Sequence, residues 1–216
     1  MIDIYVRPTS ATQRATVMLE ESGLPYRAIH VPTGSQDEAF WATGSRGRTP
    51  ALVDHDTPDG RPLALTQSNA MLLYLAEKSG KLLPADYRSR ARCLEWTMML
   101  ATDIYPPFAA VYYMCWNKPE PNMEAAAWFE DRTIAEYEAF DRHLGENEYV
   151  AGEEFSIADI AGYSPAVLGL EDLPALRRFR NLRAWMDRVG SRPAVQRGMK
   201  ATGEGRPAGL IAQRSA

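Results

Sequence analysis

Between Ile2 and Val6 apolar and polar side chains alternate, with β-branched residues prominent, and Pro8 ends this two-residue period of a short strand. Ala11, Ala15, Met18 and Leu19 then recur at helical steps, which predicts a helix with Arg14 and Glu21 off its apolar stripe. Gly23 followed by Leu24-Pro25 supplies the stop: a residue free to turn left-handed, then one that cannot continue a helix. Alternation resumes from Tyr26 to Val31 and closes at Pro32. A strand, a helix and a strand in this order suit a crossover between parallel neighbours. Farther along, Ala51-Leu52-Val53 and Leu63-Ala64-Leu65 flank Thr57-Pro58-Asp59-Gly60, whose Asp-Gly step predicts a hairpin. Ser68 opens a helix that runs through Tyr74 and Glu77 to Gly80. The predicted order is β-α-β, a loop with room for a short helix, then β-β-α.

From Tyr87 onward strand signals stop and long helical patterns take over, over 88–116, 123–144, 157–168 and 175–189, with a short helix after Arg192-Pro193. Pro106-Pro107 should break or kink the first of these. Ser156 can cap the third while Asp159 returns the bond and Phe155 staples to Ile160, a box worth about 1–2 kcal/mol. The chain thus divides into an α/β domain over 1–80, a linker over 81–87 carrying Pro84, and an all-helical domain over 88–201. The glycine- and proline-bearing tail, 202–216, is expected to drape over the surface or lack order.

With 216 residues the chain has room for one or two domains, and 45% hydrophobic against 24% charged residues marks a folding globular protein rather than a disordered one. Its longest uncharged stretch, 62–76, falls short of the roughly 20 apolar residues that span a bilayer. The opening Met-Ile-Asp-Ile-Tyr-Val-Arg does not read as a secretory signal, so a cytoplasmic address is expected. Net charge is −4, with 7 basic against 9 acidic residues in 1–80 and 17 against 19 beyond. Neither part carries the basic footprint of nucleic-acid binding. Cys93 and Cys115 lie in the apolar, aromatic middle without metal-ligand spacing and read as buried, reduced thiols. His30, His55 and His143 form no metal-ligand cluster.

Chemistry concentrates in two places. The loop Gly44-Ser45-Arg46-Gly47-Arg48-Thr49-Pro50 enters a strand through a proline, which donates no hydrogen bond and leaves neighbouring peptide groups to a ligand. Gln67-Ser68 stands at a helix start, where unbonded N–H groups and the dipole favour a carboxylate, although Ser68 also serves as a plain N-cap.

Taken together, Ile2–Val6 followed by a hydroxyl loop, Arg48-Thr49-Pro50-Ala51-Leu52-Val53-Asp54, Gln67-Ser68 with Ala70-Met71-Leu72-Leu73-Tyr74-Leu75, and Ser156-Ile157-Ala158-Asp159 resemble the glutathione S-transferase superfamily over nearly the whole chain. That resemblance implies a thioredoxin-like domain binding glutathione as co-substrate, with no metal. It also implies a helical domain covering an apolar second-substrate pocket, and a homodimer. Carried residue by residue, it implies a cis-proline at Pro50, the backbone of Thr49 on the cysteinyl part, and Gln67 and Ser68 on the γ-glutamyl end. Arg48 and Gln36 would face the glycyl carboxylate, and Asp103 matches the acid that reaches across the dimer to the γ-glutamyl ammonium. Tyr105, Phe108, Tyr112, Tyr113 and Trp116 would wall the second pocket, with Arg7 beside the activating loop able to touch an acidic or carbonyl-bearing substrate.

The implied reaction needs a thiolate, and lowering a thiol of pKa about 8.5 by ~2 units requires roughly 2.7 kcal/mol of preferential stabilisation. Thr9 and Ser10 precede the first helix, where a hydroxyl donor and a helix N-terminus can together supply it; the role is stabiliser, not base. With Pro8 as anchor the sequence resembles the bacterial Nu-like transferases and selects Thr9; counted from Arg14 it resembles the serine-type classes and selects Ser10. Ala11 departs from the Nu-like pattern, which has a donating asparagine there. The leading reading is conjugation of glutathione to a small electrophile, as in detoxification. Glutathione-dependent disulfide reduction or ether cleavage, and a non-catalytic interaction or ligand-carrying module, are the alternatives.

Overall fold

A computed structural model describes residues 1–116 and 120–203, with only the backbone for Trp116. They divide into two compact units, Met1–Pro84 joined by the segment that begins at Gly190, and Ala85–Val189.

In the first unit β1 (Ile2–Val6), α1 (Ser10–Ser22) and β2 (Tyr26–His30) form the expected crossover. Short α2 (Glu38–Ala42) follows, then β3 (Ala51–Asp54), β4 (Leu63–Thr66) and α3 (Ser68–Ser79). The four strands order as β2-β1-β3-β4. β1 runs parallel to β2, with Ile4 opposite Ala28, and antiparallel to β3, with Ile4 opposite Leu52. Being central, β1 is buried at all five positions, and Tyr5 stacks on Phe40 of α2 at 5.4 Å as a core residue. Gly23 ends α1 in the left-handed conformation, its N–H returning to the Leu19 carbonyl.

The expected helical domain over 88–201 is corrected at its end. α9 (Pro193–Lys200) belongs with the first unit and packs on α1. Gly198 makes this docking possible, since a Cβ there would lie 2.4 Å from the Val17 Cα. Around that contact Thr16 Oγ1 donates to the Gly198 carbonyl at 2.7 Å, and Arg192 grips Glu21 through two bonds of 2.7 and 2.8 Å. Arg197 Nε reaches Glu20 at 2.7 Å.

The second unit holds α4 (Tyr87–Met99), a π-helical turn (Leu100–Ile104), α5 (Tyr105–Trp116), α6 (Met123–Leu144), α7 (Ile157–Asp172), a 3-10 turn (Pro174–Arg178) and α8 (Arg180–Gly190). The kink expected from Pro106-Pro107 takes the form of that π turn. Two residues without an N–H leave the preceding carbonyls without donors, and the Tyr105 N–H reaches back to Leu100 instead. The single helix expected over 175–189 is two elements, parted where Phe179 turns extended. Ser156 and Asp159 form the capping box of α7. The Asp159 carboxylate, fully buried, also accepts from the Val150 N–H at 2.9 Å and the Trp185 indole at 2.8 Å, so it ties a loop and α8 to the helix start. The tail beyond residue 203 lies outside the described residues.

Candidate active site

Arg7 and Pro8 carry the chain out of β1 to Thr9, which is the N-cap of α1 with extended backbone and accepts from the Thr12 N–H at 3.2 Å. Thr9 is exposed, whereas Ser10, one residue into the helix, is only 4% exposed. The hydroxyls of Thr9 and Thr12 lie 2.8 Å apart, and Thr12 Oγ1 donates to Thr49 Oγ1 at 3.2 Å.

Thr49 is delivered by the basic loop. Gly44 and Gly47 there take positive φ of 77° and 72°, which their lack of a Cβ permits, and the Ser45 hydroxyl donates inward to the Phe40 carbonyl at 3.0 Å. Arg7 Nη2 donates to the Gly47 carbonyl at 2.5 Å, tying the loop to the exit of β1. Arg7 Nε is buried without a hydrogen-bond partner. Arg46 and Arg48 project into solvent, and the Thr49–Pro50 peptide is cis. Gln36 is exposed, its amide donating to the Gly34 carbonyl at 3.3 Å.

At the start of α3 the N-cap is Gln67, not Ser68. Gln67 adopts φ 69° and makes no side-chain cap, so α3 begins with first-turn N–H groups that this side chain does not cover. Ser68 is the first helical residue, and its hydroxyl accepts from Arg14 Nη1 at 3.3 Å. Arg14 corrects the helical-wheel reading: it is 5% exposed and points between α1 and α3 rather than into water. Arg14 and Thr12 are residues of this region that the sequence reading did not select; for Arg14 the signal was available in its guanidinium being the one cation within α1. The first unit thus holds two hydrogen-bonded groups, Thr9 with Thr12 and Thr49 at the start of α1 and Arg14 with Ser68 at the start of α3, while Arg7 ties down the loop that delivers Thr49 and Pro50, Ser10 follows Thr9 into the helix, and Gln67 precedes Ser68. Gln36 and Arg48 lie on the flanking loops, outside these bonds.

In the second unit Asp103 is exposed within the π turn and accepts from the Thr102 hydroxyl at 2.8 Å. Phe108 is buried at 3% exposure and packs with Tyr105, ring centres 6.1 Å apart, so it serves the core. Tyr112 and Tyr113 meet edge-on at 5.8 Å, and Tyr113 is half exposed. The Trp116 side chain lies outside the described residues. Cys93 and Cys115 are both buried here, and burial pushes the Cys93 thiol up, away from thiolate. A cavity of about 320 Å³ lies wholly in this unit, where Trp96 stacks on His143, and contains none of the predicted site residues. Among the described residues no cluster of acidic, His or Cys side chains gathers that would hold a metal, and no helix is long and apolar enough to cross a membrane.

A thioredoxin-like α/β unit with a cis-proline beside a hydroxyl-capped helix, followed by a helical unit, defines a class of glutathione-binding fold. The glutathione S-transferase N-terminal domain model matches residues 4–82 and the C-terminal domain model residues 102–200. The chain belongs to the glutathione S-transferase family. It is 32% identical to the disulfide-bond oxidoreductase YfcG of Escherichia coli (strain K12), over 90% of this chain and 93% of that one. A glutathione transferase from Pseudomonas putida, solved with one glutathione disulfide bound per subunit, aligns with TM-score 0.85 and 32% identity over 94% of this chain and 92% of that one. A family member from Pseudomonas fluorescens pf-5, solved with two glutathione bound, aligns with TM-score 0.84 and 31% identity over 92% of each chain.

Proposed function

We propose that this chain is a glutathione-dependent thiol–disulfide oxidoreductase that holds the glutathione sulfur as a thiolate at the Thr9 end of α1. The observation that carries this reading is an exposed hydroxyl at the N-cap of a 13-residue helix, in a unit that has no cysteine of its own. The hydroxyl donates to sulfur while the helix start contributes about half a positive charge, and together these meet the requirement for ionisation near neutral pH. Ser10 faces inward and is left out of that role. The backbone of Thr49 receives the cysteinyl part, the α3 start at Gln67 and Ser68 the γ-glutamyl carboxylate, and Arg48 with Gln36 the glycyl carboxylate. Asp103, reaching across a homodimer, faces the γ-glutamyl ammonium, while Tyr105, Tyr112 and Tyr113 offer aromatic faces to the second substrate.

The bound thiolate attacks one sulfur of a disulfide. A mixed glutathionyl disulfide forms, the original S–S bond breaks, and the departing thiolate takes up the proton that glutathione lost on ionising. A second glutathione thiol attacks the mixed disulfide, giving glutathione disulfide and a second free thiol. Two glutathiones thus supply the two electrons, and no protein cysteine takes part. Support comes from the likeness to YfcG and to relatives solved with glutathione disulfide or two glutathiones. Conjugation is the second reading, favoured by the family itself and by the half-exposed Tyr113; there the same thiolate attacks an electrophilic carbon.

Turnover of a small dialkyl disulfide with glutathione, set against turnover of an aryl halide, tests the choice. The oxidoreductase reading expects the disulfide to be the faster substrate. Faster aryl-halide turnover would replace it with the conjugation reading, and failure to retain glutathione at all would remove both.

A further inference from the structure

The Thr9 hydroxyl does not stand alone. It lies 2.8 Å from Thr12 Oγ1, which in turn bonds Thr49 Oγ1 at 3.2 Å, so three hydroxyls run from the exposed end of the α1 cap into the protein. Thr12 is completely buried, and its hydroxyl has these two threonines as its neighbours in the chain. A threonine hydroxyl owns one proton. With Thr12 donating to Thr49, Thr12 accepts from Thr9, and the Thr9 and Thr12 protons both point inward, leaving none for an anion outside Thr9.

We propose that Thr12 is a positioning residue that forms, with Thr9, a reversible hydroxyl relay: an incoming thiolate turns the Thr9 proton outward, and the Thr12 proton swings from Thr49 to the Thr9 oxygen. This rests on the reading of Thr9 as the thiolate donor. The reversal rotates two O–H bonds, moves no heavy atom, and makes or breaks no covalent bond. In the reversed state the Thr9 oxygen accepts both from the Thr12 hydroxyl and from the Thr12 N–H, already 3.2 Å away. An oxygen that accepts two donors is a stronger donor through its own O–H, because each bond polarises the next. The relay thereby supplies stabilisation that the side chain of Ala11 cannot.

The scaffold holds the three hydroxyls in register. Thr16 Oγ1 donates to the Thr12 carbonyl at 3.2 Å, fixing the first turn of α1. At the other end Arg7 Nη2 holds the Gly47 carbonyl, two residues before Thr49, while the Arg7 carbonyl accepts from the Thr9 N–H at 2.7 Å. One residue thus spans both ends of the relay.

The test is an ultraviolet titration of the thiol in the glutathione complex, with binding of S-methylglutathione, which has no thiol to ionise, measured on the same variants. Thr9→Val should raise the bound thiol's pKa by about 1–2 units, the size of a bond to a charged acceptor. Thr12→Val should raise it by a few tenths of a unit, since it weakens rather than removes that donor, whereas Thr49→Val, which removes the acceptor competing for the Thr12 proton, should not raise it. The Thr12→Val, Thr49→Val double variant should match Thr12→Val alone, because Thr49 acts only through Thr12. Thr12→Ser should restore the parent value, and S-methylglutathione should bind the Thr12 variants as it binds the parent. A parent pKa in Thr12→Val alongside a raised value in Thr9→Val would overturn the relay and leave the thiolate reading standing. An unmoved pKa in Thr9→Val would overturn that reading, and the relay with it. Loss of S-methylglutathione binding that Thr12→Ser does not repair would assign Thr12 a structural role and likewise reject the relay.

Discussion

Thr9 and Ser10 are adjacent hydroxyls that the helix start treats differently. The N-cap position leaves the Thr9 side chain in solvent with its oxygen over the first turn, while the next residue rotates about a hundred degrees around the helix and is buried. On the proposed reading Thr9→Val lowers kcat/KM about ten- to a hundredfold below the thiol's pKa, and Ser10→Ala changes it far less. Steady-state rates of the two variants at one pH check this; equal losses would remove the distinction. The choice was not legible in the sequence, because counting from Pro8 or from Arg14 gave opposite answers and only the capping geometry separates them. Arg14 itself was misread for a related reason. An apolar stripe says which face of a helix is buried first, and it is silent on a second face covered by an element far away in the chain.

For Arg14 that element is α3; α9 is a further covering, and it turns a property of one residue into a property of an element. α1 is buried nearly all round because α3 packs on one side and α9 on another. Gly198→Ala would drive a Cβ into the Val17 backbone, which cannot rotate away as a flexible side chain could. Such overpacking costs about 1–3 kcal/mol, and the expected readout is a lower midpoint in urea with an unchanged slope. A midpoint equal to the parent's would mean that α9 docks more loosely than the 2.4 Å approach demands. The capping box at Ser156 and Asp159 was readable, being built from four consecutive residues. The π turn was half readable: Pro106-Pro107 announced an irregularity, but which carbonyl the chain would turn back to depends on where α4 is held.

At the scale of the molecule the sheet of the first unit carries a pH dependence. Burial pushes the Asp54 carboxyl up, but Lys78 at 2.8 Å, the Tyr74 hydroxyl at 2.6 Å and the Asp56 N–H at 2.9 Å outweigh it, and the net shift is downward. Asp3 is lowered chiefly by the two bonds from Arg27, with His55 adding to them against partial burial. A carboxyl depressed in the folded state contributes stability that is full above its unfolded pKa of about 3.9 and is lost as pH falls through the lower folded value. Stability of the first unit should therefore drop in acid below about pH 4, and Asp54→Asn should make that drop shallower while lowering stability at pH 7. Urea melts across the acid range check it, and an unchanged acid slope in the variant would assign the loss to other groups. The two-part layout was legible because strand signals end at Tyr87, yet the return of the last helix to the first unit was not, since periodicity identifies a face and not its partner.

On the proposed function, glutathione binds with its sulfur ionised. Calorimetry of glutathione binding near pH 7, repeated in buffers of different ionisation heat, counts the protons released. A bound thiol of lower pKa than the free one must release protons between the two values. A release approaching one proton per site is expected for glutathione and none for S-methylglutathione. Equal release for both, or no release for glutathione, would contradict it.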